Sequence, residues 1–212
     1  MPAVELSAKM RAICTRAVVI PAITIERVED AVPVARALSA GGLEVIEIML
    51  RSAAALDAIR AVAAEVPEMV LGAGTLLRSS DVATVKAAGA RFLVSPGAIP
   101  SLLDAAEAAA LPLLPGAATA SEAMALAERG WTTLKFFPAE ASGGASALDA
   151  LAGPLPHIGW CPTGGVDRAN AAAYRALPNV LCVGGAWPVP AEAMATGDWS
   201  RIEALAREAV AF

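Results

Sequence analysis

One histidine occurs in the 212 residues, His157. That scarcity argues against a histidine-based metal site and against a Ser-His-Asp triad. His157 also precedes an apolar run instead of ending one, and it reads as structural or exposed. Cysteine is scarce and odd in number: Cys14, Cys161 and Cys182, with no Cys-x-x-Cys pair. Such usage reads as buried reduced thiols of a cytoplasmic protein, not as a disulfide framework. Charge is sparse, at 17% of residues, and its balance is acidic, with 16 Lys and Arg against 21 Asp and Glu and a net charge of −5. A nucleic-acid partner is therefore not expected. Mean hydropathy is +0.58. Even so, no apolar run reaches about 18 residues unbroken by charge, Pro or Gly, so no membrane span is expected. Residues 1–16 carry Glu5, Lys9, Arg11 and Arg16 and predict a short amphipathic helix. No apolar stretch follows a basic start there, so the segment does not read as a secretory leader. Linkers and low-complexity segments are missing, which predicts one domain over 1–212, with that helix ahead of a body over 18–212.

What the chain does have is a recurring unit. A short run rich in Val, Ile, Leu or Phe ends in Gly, Pro, Thr or Arg, and an Ala-rich helical stretch follows. The runs cover 18–24, 45–50, 69–75, 92–96, 113–116, 134–138, 158–163 and 180–184. The helical patterns cover 28–40, 53–66, 79–88, 100–109, 121–129, 145–152, 168–176 and 191–210. The runs are apolar without clean alternation, as suits strands of a parallel sheet buried on both faces. Strand–helix alternation implies right-handed βαβ units, and eight of them predict a closed (β/α)8 TIM barrel, an α/β fold. An open doubly wound sheet with fewer strands is the alternative.

Active groups of a barrel gather at the C-terminal ends of its strands, so polar residues there carry weight. The chain has three lysines against thirteen arginines, and only Lys135 lies in an apolar run, between Leu134 and Phe136-Phe137. Burial disfavours an ammonium, and a desolvated lysine is the group needed to attack a ketone and form an imine. Phe136 and Phe137 are both expected to supply the low dielectric. The plainer reading is a buried ion pair with Glu47 or Glu140. Glu47 is equally out of place, between Ile46 and Ile48. It is a candidate general acid and base near Lys135, or only its neutralising partner. Period 2 puts Glu47, Met49 and Arg51 on one strand face. Glu47 and Arg51 are about 13 Å apart along a strand, too far for direct pairing unless the chain bends after Leu50. Arg51 could clamp a carboxylate bidentately, or be an ordinary surface arginine. Gly164-Gly165 and Gly184-Gly185 follow the seventh and eighth runs, where barrel loops often present backbone N–H groups to phosphate. The acidic residues do not gather at strand ends, so no metal is assigned, although a carboxylate magnesium site stays open.

Taken together the motifs resemble the class I aldolases of the 2-keto-3-deoxy-6-phosphogluconate (KDPG) and 4-hydroxy-2-oxoglutarate (KHG) family. The resemblance runs from Val18 to the C-terminus. It rests on Gly41-Gly42, Glu47, Leu50-Arg51, Gly72-Ala73-Gly74-Thr75, Ser95-Pro96-Gly97 and the stretch from Pro112 to Gly116. It continues through Lys135-Phe136-Phe137-Pro138-Ala139-Glu140, Cys161-Pro162-Thr163-Gly164-Gly165 and Gly184-Gly185-Ala186-Trp187. It implies a (β/α)8 barrel, a homotrimer, no metal and no cofactor beyond a covalent imine. It implies Lys135 as the imine-forming lysine and Glu47 as general acid and base. It further implies Arg51 and Thr75 at the pyruvyl carboxylate, Pro96 and Phe137 lining the pocket, and distal contacts from Thr163, Gly164, Gly165, Gly184, Gly185 and Ala186. The expected reaction is reversible cleavage of KDPG to pyruvate and D-glyceraldehyde 3-phosphate. The chain departs from close members at Ala186, where they carry Ser, so one hydroxyl donor to the phosphate is lost. Alternatives are an aldolase for KHG or for the galactonate epimer of KDPG, a non-catalytic sugar-phosphate-binding barrel, and a sugar-phosphate isomerase or epimerase.

Overall fold

The structure is a computed structural model that describes residues 1–211. In chain order the elements are α1 (Ala3–Arg16), β1 (Val19–Ile23), α2 (Ala31–Ala40), β2 (Val45–Met49), α3 (Ala55–Glu65) and β3 (Val70–Gly74). Next come α4 (Ser79–Ala87), β4 (Phe92–Val94), α5 (Pro100–Ala109), β5 (Leu113–Leu114), β6 (Gly116–Ala117), α6 (Ala120–Glu128) and β7 (Thr133–Phe136). The chain ends with α7 (Gly144–Ala152), β8 (Gly159–Pro162), α8 (Ala171–Arg175), β9 (Val183–Gly185), α9 (Ala191–Thr196) and α10 (Trp199–Val210).

Alternation of strand and helix is as expected, but the closed eight-stranded barrel is not what forms. Among the described residues nine strands lie in two parallel sheets, one in the order β5-β4-β3-β2-β1-β9 and the other β6-β7-β8. Pro115 explains one interruption. It has no N–H, so the ladder through run 113–116 breaks into β5 and β6, while its carbonyl accepts the Lys135 N–H at 2.9 Å. At the other boundary β8 ends on Pro162, a second residue without a donor, and only the isolated bridges Trp160–Val180 and Thr163–Gly184 reach toward β9. The predicted helix over 191–210 is also two helices. It stops at Gly197, and Asp198 starts α10 by accepting the Arg201 N–H at 3.0 Å.

Register sorts the side chains. Ala22, Glu47 and Gly72 are partners across β1, β2 and β3, and Gly116, Lys135 and Cys161 across β6, β7 and β8. Partners in a parallel ladder share a face, and Glu47 meets Lys135 although the two belong to different sheets. The sheets therefore face one another across a common interior. The opposite faces pack against the helices in one apolar cluster. A second cluster forms the floor of the interior. It holds Ile20, Val45, Phe92, Val94, Leu114, Cys161 and Cys182, covered by Met10 and Cys14 of α1. The first helix thus seals the N-terminal end. Ser7 fixes it there, with its Oγ accepting the Thr133 N–H at 3.0 Å and its carbonyl accepting the Thr133 hydroxyl at 3.2 Å.

Candidate active site

Two residues above the floor the interior changes character. On β2, Glu47 stands one alternation beyond Val45. On β8, Thr163 follows Cys161 in the same way. The Lys135 Nζ lies 3.7 Å from Glu47 Oε1, with their side chains only 7% and 4% exposed. Of the two partners open to Lys135 in sequence, the structure brings Glu47. Glu140 instead accepts a hydrogen bond from Tyr174. The Glu47 carboxylate fills the space that a side chain on Gly74 would need, so the glycine of β3 leaves room for the charge. Glu47 Oε1 is buried without a hydrogen-bond partner among the described residues. Lys135 offsets its charge, and a carboxylate oxygen engaged by no hydrogen-bond donor is open to accept a proton.

Aromatic surroundings are divided. The Lys135 Nζ lies 5.1 Å from the centroid of the Phe137 ring, within cation–π range. Phe136 does not share that role: successive strand residues face opposite ways, and Phe136 is buried on the other face, edge-on to Trp160 at 5.7 Å.

Arg51 and Thr75 come together at the rim. The chain turns after β2, and Arg51 Nε donates to Thr75 Oγ1 at 2.9 Å. Arg51 makes that contact and does not pair with Glu47, in keeping with their separation along the strand. Thr75 sits at φ 60°, a left-handed conformation that a β-branched residue adopts only under constraint. Pro96 is half-buried just past β4, with its carbonyl close against Gly116. Thr163 is buried, its hydroxyl donating to the Cys161 carbonyl at 3.4 Å, and it bridges to Gly184. Gly164 and Gly165 follow at φ 96° and 80°, a pair of conformations that glycine adopts without strain. Gly184 and Gly185 end β9, and the exposed Ala186 comes next.

Beside these residues runs a cleft of about 800 Å³. Ala22, Thr24, Met49, Ala186 and Trp187 are among its walls, while Lys135 and Glu47 are not. Its position links the outer end of the Glu47 strand to the loop after β9. Among the described residues no group of three or more His, Cys, Asp or Glu side chains is placed to hold a metal ion. His157 is exposed. Reading the sequence alone missed Asn170, which donates to the Gly165 carbonyl, and Tyr174, which donates to Glu140. One available signal was that the chain's single tyrosine interrupts the Ala-rich pattern over 168–176.

A family profile described as "Aldolase: KDPG and KHG aldolase" matches residues 10–205. A KHG/KDPG aldolase of Escherichia coli K12 is 52% identical over 198 residues, covering 93% of each chain. Among solved structures, a KDPG aldolase of Legionella pneumophila with pyruvate captured as a covalent carbinolamine superposes with a TM-score of 0.92. It is 43% identical, covering 94% of this chain and 97% of that one. A 2-keto-3-deoxy-6-phosphogluconate aldolase of Zymomonas mobilis has a TM-score of 0.89 at 44% identity, covering 95% and 96%.

Proposed function

The chain belongs to the KDPG and KHG aldolase family, and from that premise we propose that it is a class I aldolase cleaving KDPG to pyruvate and D-glyceraldehyde 3-phosphate. The observation that carries the site assignment is the enclosed pair of Lys135 Nζ and Glu47 Oε1 at 3.7 Å. The neutral Lys135 amine adds to the C2 ketone to give a carbinolamine. Loss of water leaves a protonated imine, an electron sink conjugated with C3. Glu47 takes the proton of the C4 hydroxyl, the C3–C4 electrons flow into the imine, and the aldehyde departs from an enamine of pyruvate. Glu47 then returns the proton to C3, and water hydrolyses the imine to free pyruvate and Lys135. One carboxylate serves as base and then acid because it keeps the proton between the two steps.

Arg51 and Thr75 hold the pyruvyl carboxylate in this reading. The guanidinium offers further donors beyond the one given to Thr75. Pro96 and Phe137 wall the pocket. Thr163, Gly164, Gly165, Gly184, Gly185 and Ala186 surround the phosphate, with backbone N–H groups as the donors. A second substrate is favoured by Ala186, whose methyl side chain brings no hydroxyl to the rim. We propose that the phosphate-free KHG is cleaved by the same Lys135 imine.

Both statements are tested by following pyruvate release from KDPG and from KHG. Release from both, with KDPG the better substrate, is expected. No release from either would overturn the assignment. We further propose a homotrimer of single-domain chains working in the cytoplasm. The three free thiols support that compartment. Sedimentation should give three times the 21.4 kDa chain mass, and a monomer would refute the assembly.

A further inference from the structure

The Gly164-Gly165 loop is fixed by its carbonyls. Thr163 O accepts the Ala139 N–H at 2.8 Å, Gly164 O accepts the Glu140 N–H at 3.0 Å, and Gly165 O accepts from Asn170 Nδ2 at 2.9 Å. In a trans peptide the C=O and the following N–H point in opposite directions. Anchoring three successive carbonyls on residues 139, 140 and 170 therefore aims the N–H groups of Gly164, Gly165 and Val166 away from those residues. Glu140 contributes twice more. Its Cβ and Cγ occupy the space beside Gly165 that a side chain there would fill. Its carboxylate is turned to the Tyr174 hydroxyl, which donates to Oε1.

Tyr174 is the fixed end of this arrangement. It is buried in α8. Burial first, and the bond to Glu140 second, push its phenol well above the ordinary range, so it remains a donor at neutral pH. Without that donor, the carboxylate would be free to swing beside a loop that must receive an anion.

We propose that Tyr174 and Glu140 are positioning residues for phosphate recognition: Tyr174 draws the Glu140 carboxylate off the Gly164-Gly165 loop while the rest of Glu140 braces it. The proposal rests on the reading of that loop as the phosphate site. It concerns the distal half of the substrate and leaves the imine chemistry at Lys135 untouched.

The test compares KDPG with its phosphate-free analogue, 2-keto-3-deoxygluconate, in the full-length protein. Tyr174→Phe is expected to raise KM for KDPG by about five- to tenfold, to hold kcat within about twofold, and to leave the phosphate-free substrate unchanged. Glu140→Asp withdraws the carboxylate from the tyrosine but keeps its charge. It should give the same rise in KM, and it serves if Tyr174→Phe does not fold. Glu140→Gln retains an acceptor for Tyr174 and removes the charge, so its KM should stay within about twofold of the parent. An unchanged KM in Tyr174→Phe and Glu140→Asp, or equal losses on both substrates, overturns the proposal. A parent enzyme with the same KM for both substrates overturns the phosphate reading and the proposal with it. A parent that releases no pyruvate from either marks failure of the aldolase assignment itself.

Discussion

The floor of the interior and the layer above it are built from the same strand faces, yet one is inert and the other carries paired charge. Val45 gives way to Glu47, Cys161 to Thr163 and Cys182 to Gly184, each two residues on. The floor is apolar and covered by α1. The Cys182 thiol is pushed well above the usual thiol range, by hydrogen bonds with Cys14 and Cys161 first and by burial next. The upper layer holds a buried lysine paired with a carboxylate, and at its rim stands a threonine in a left-handed conformation. The lower layer gives the strands a rigid apolar base. The upper one places its costly groups where the strand ends open to the rim. Strain and buried charge are tolerated because a close-packed layer beneath them resists relaxation.

Substitutions break this comparison most sharply at Lys135. Lys135→Met should retain the fold and lower KDPG cleavage by about four orders of magnitude or more, since no other described lysine lies inside the interior. Steady-state pyruvate release checks this. Glu47→Gln is expected to cost about 10²–10⁴-fold in kcat. Arg51→Met and Thr75→Ala should each lower kcat/KM by about ten- to a hundredfold, as expected on losing a hydrogen bond to a carboxylate.

The floor should answer differently. Cys182→Ala is expected to lower unfolding free energy by about 1–2 kcal/mol in urea titration while leaving kcat within about twofold. A large loss of kcat there would mean that the two layers are not separate in function. The smallest effect belongs to neither layer. Glu122 caps α6, where the Ala118 N–H first, and Thr119 after it, hold its carboxyl below the ordinary value of 4.5. A depressed carboxyl stabilises above its unfolded-state value, and the contribution disappears as pH falls through the folded-state one. Glu122→Ala should therefore lower the unfolding free energy from urea titration at pH 7 by about 0.5 kcal/mol, with the difference from the parent shrinking as the solution is acidified.

Much of this was legible in the chain, for identifiable reasons. Strands buried on both faces read as apolar runs, and helix patterns fell between them. A charge inside such a run has few explanations, which is why Glu47 and Lys135 stood out. Barrel closure was not legible, because it depends on backbone donors. Pro115 and Pro162 remove them at the places where the sheets divide. Phe136 was grouped with Phe137 by adjacency, although strand period sends it to the opposite face. Partners such as Tyr174 and Glu140, 34 residues apart, are joined only by tertiary packing and leave no local spacing to read.

The central claim is that one enclosed amine condenses with a keto acid. Incubating the protein with pyruvate and borohydride, then mapping the mass gain by peptide, tests it most directly. The account predicts a stable adduct of about 72 Da on Lys135, lost in Lys135→Met. No adduct, or one confined to Lys9 or Lys86, would contradict it.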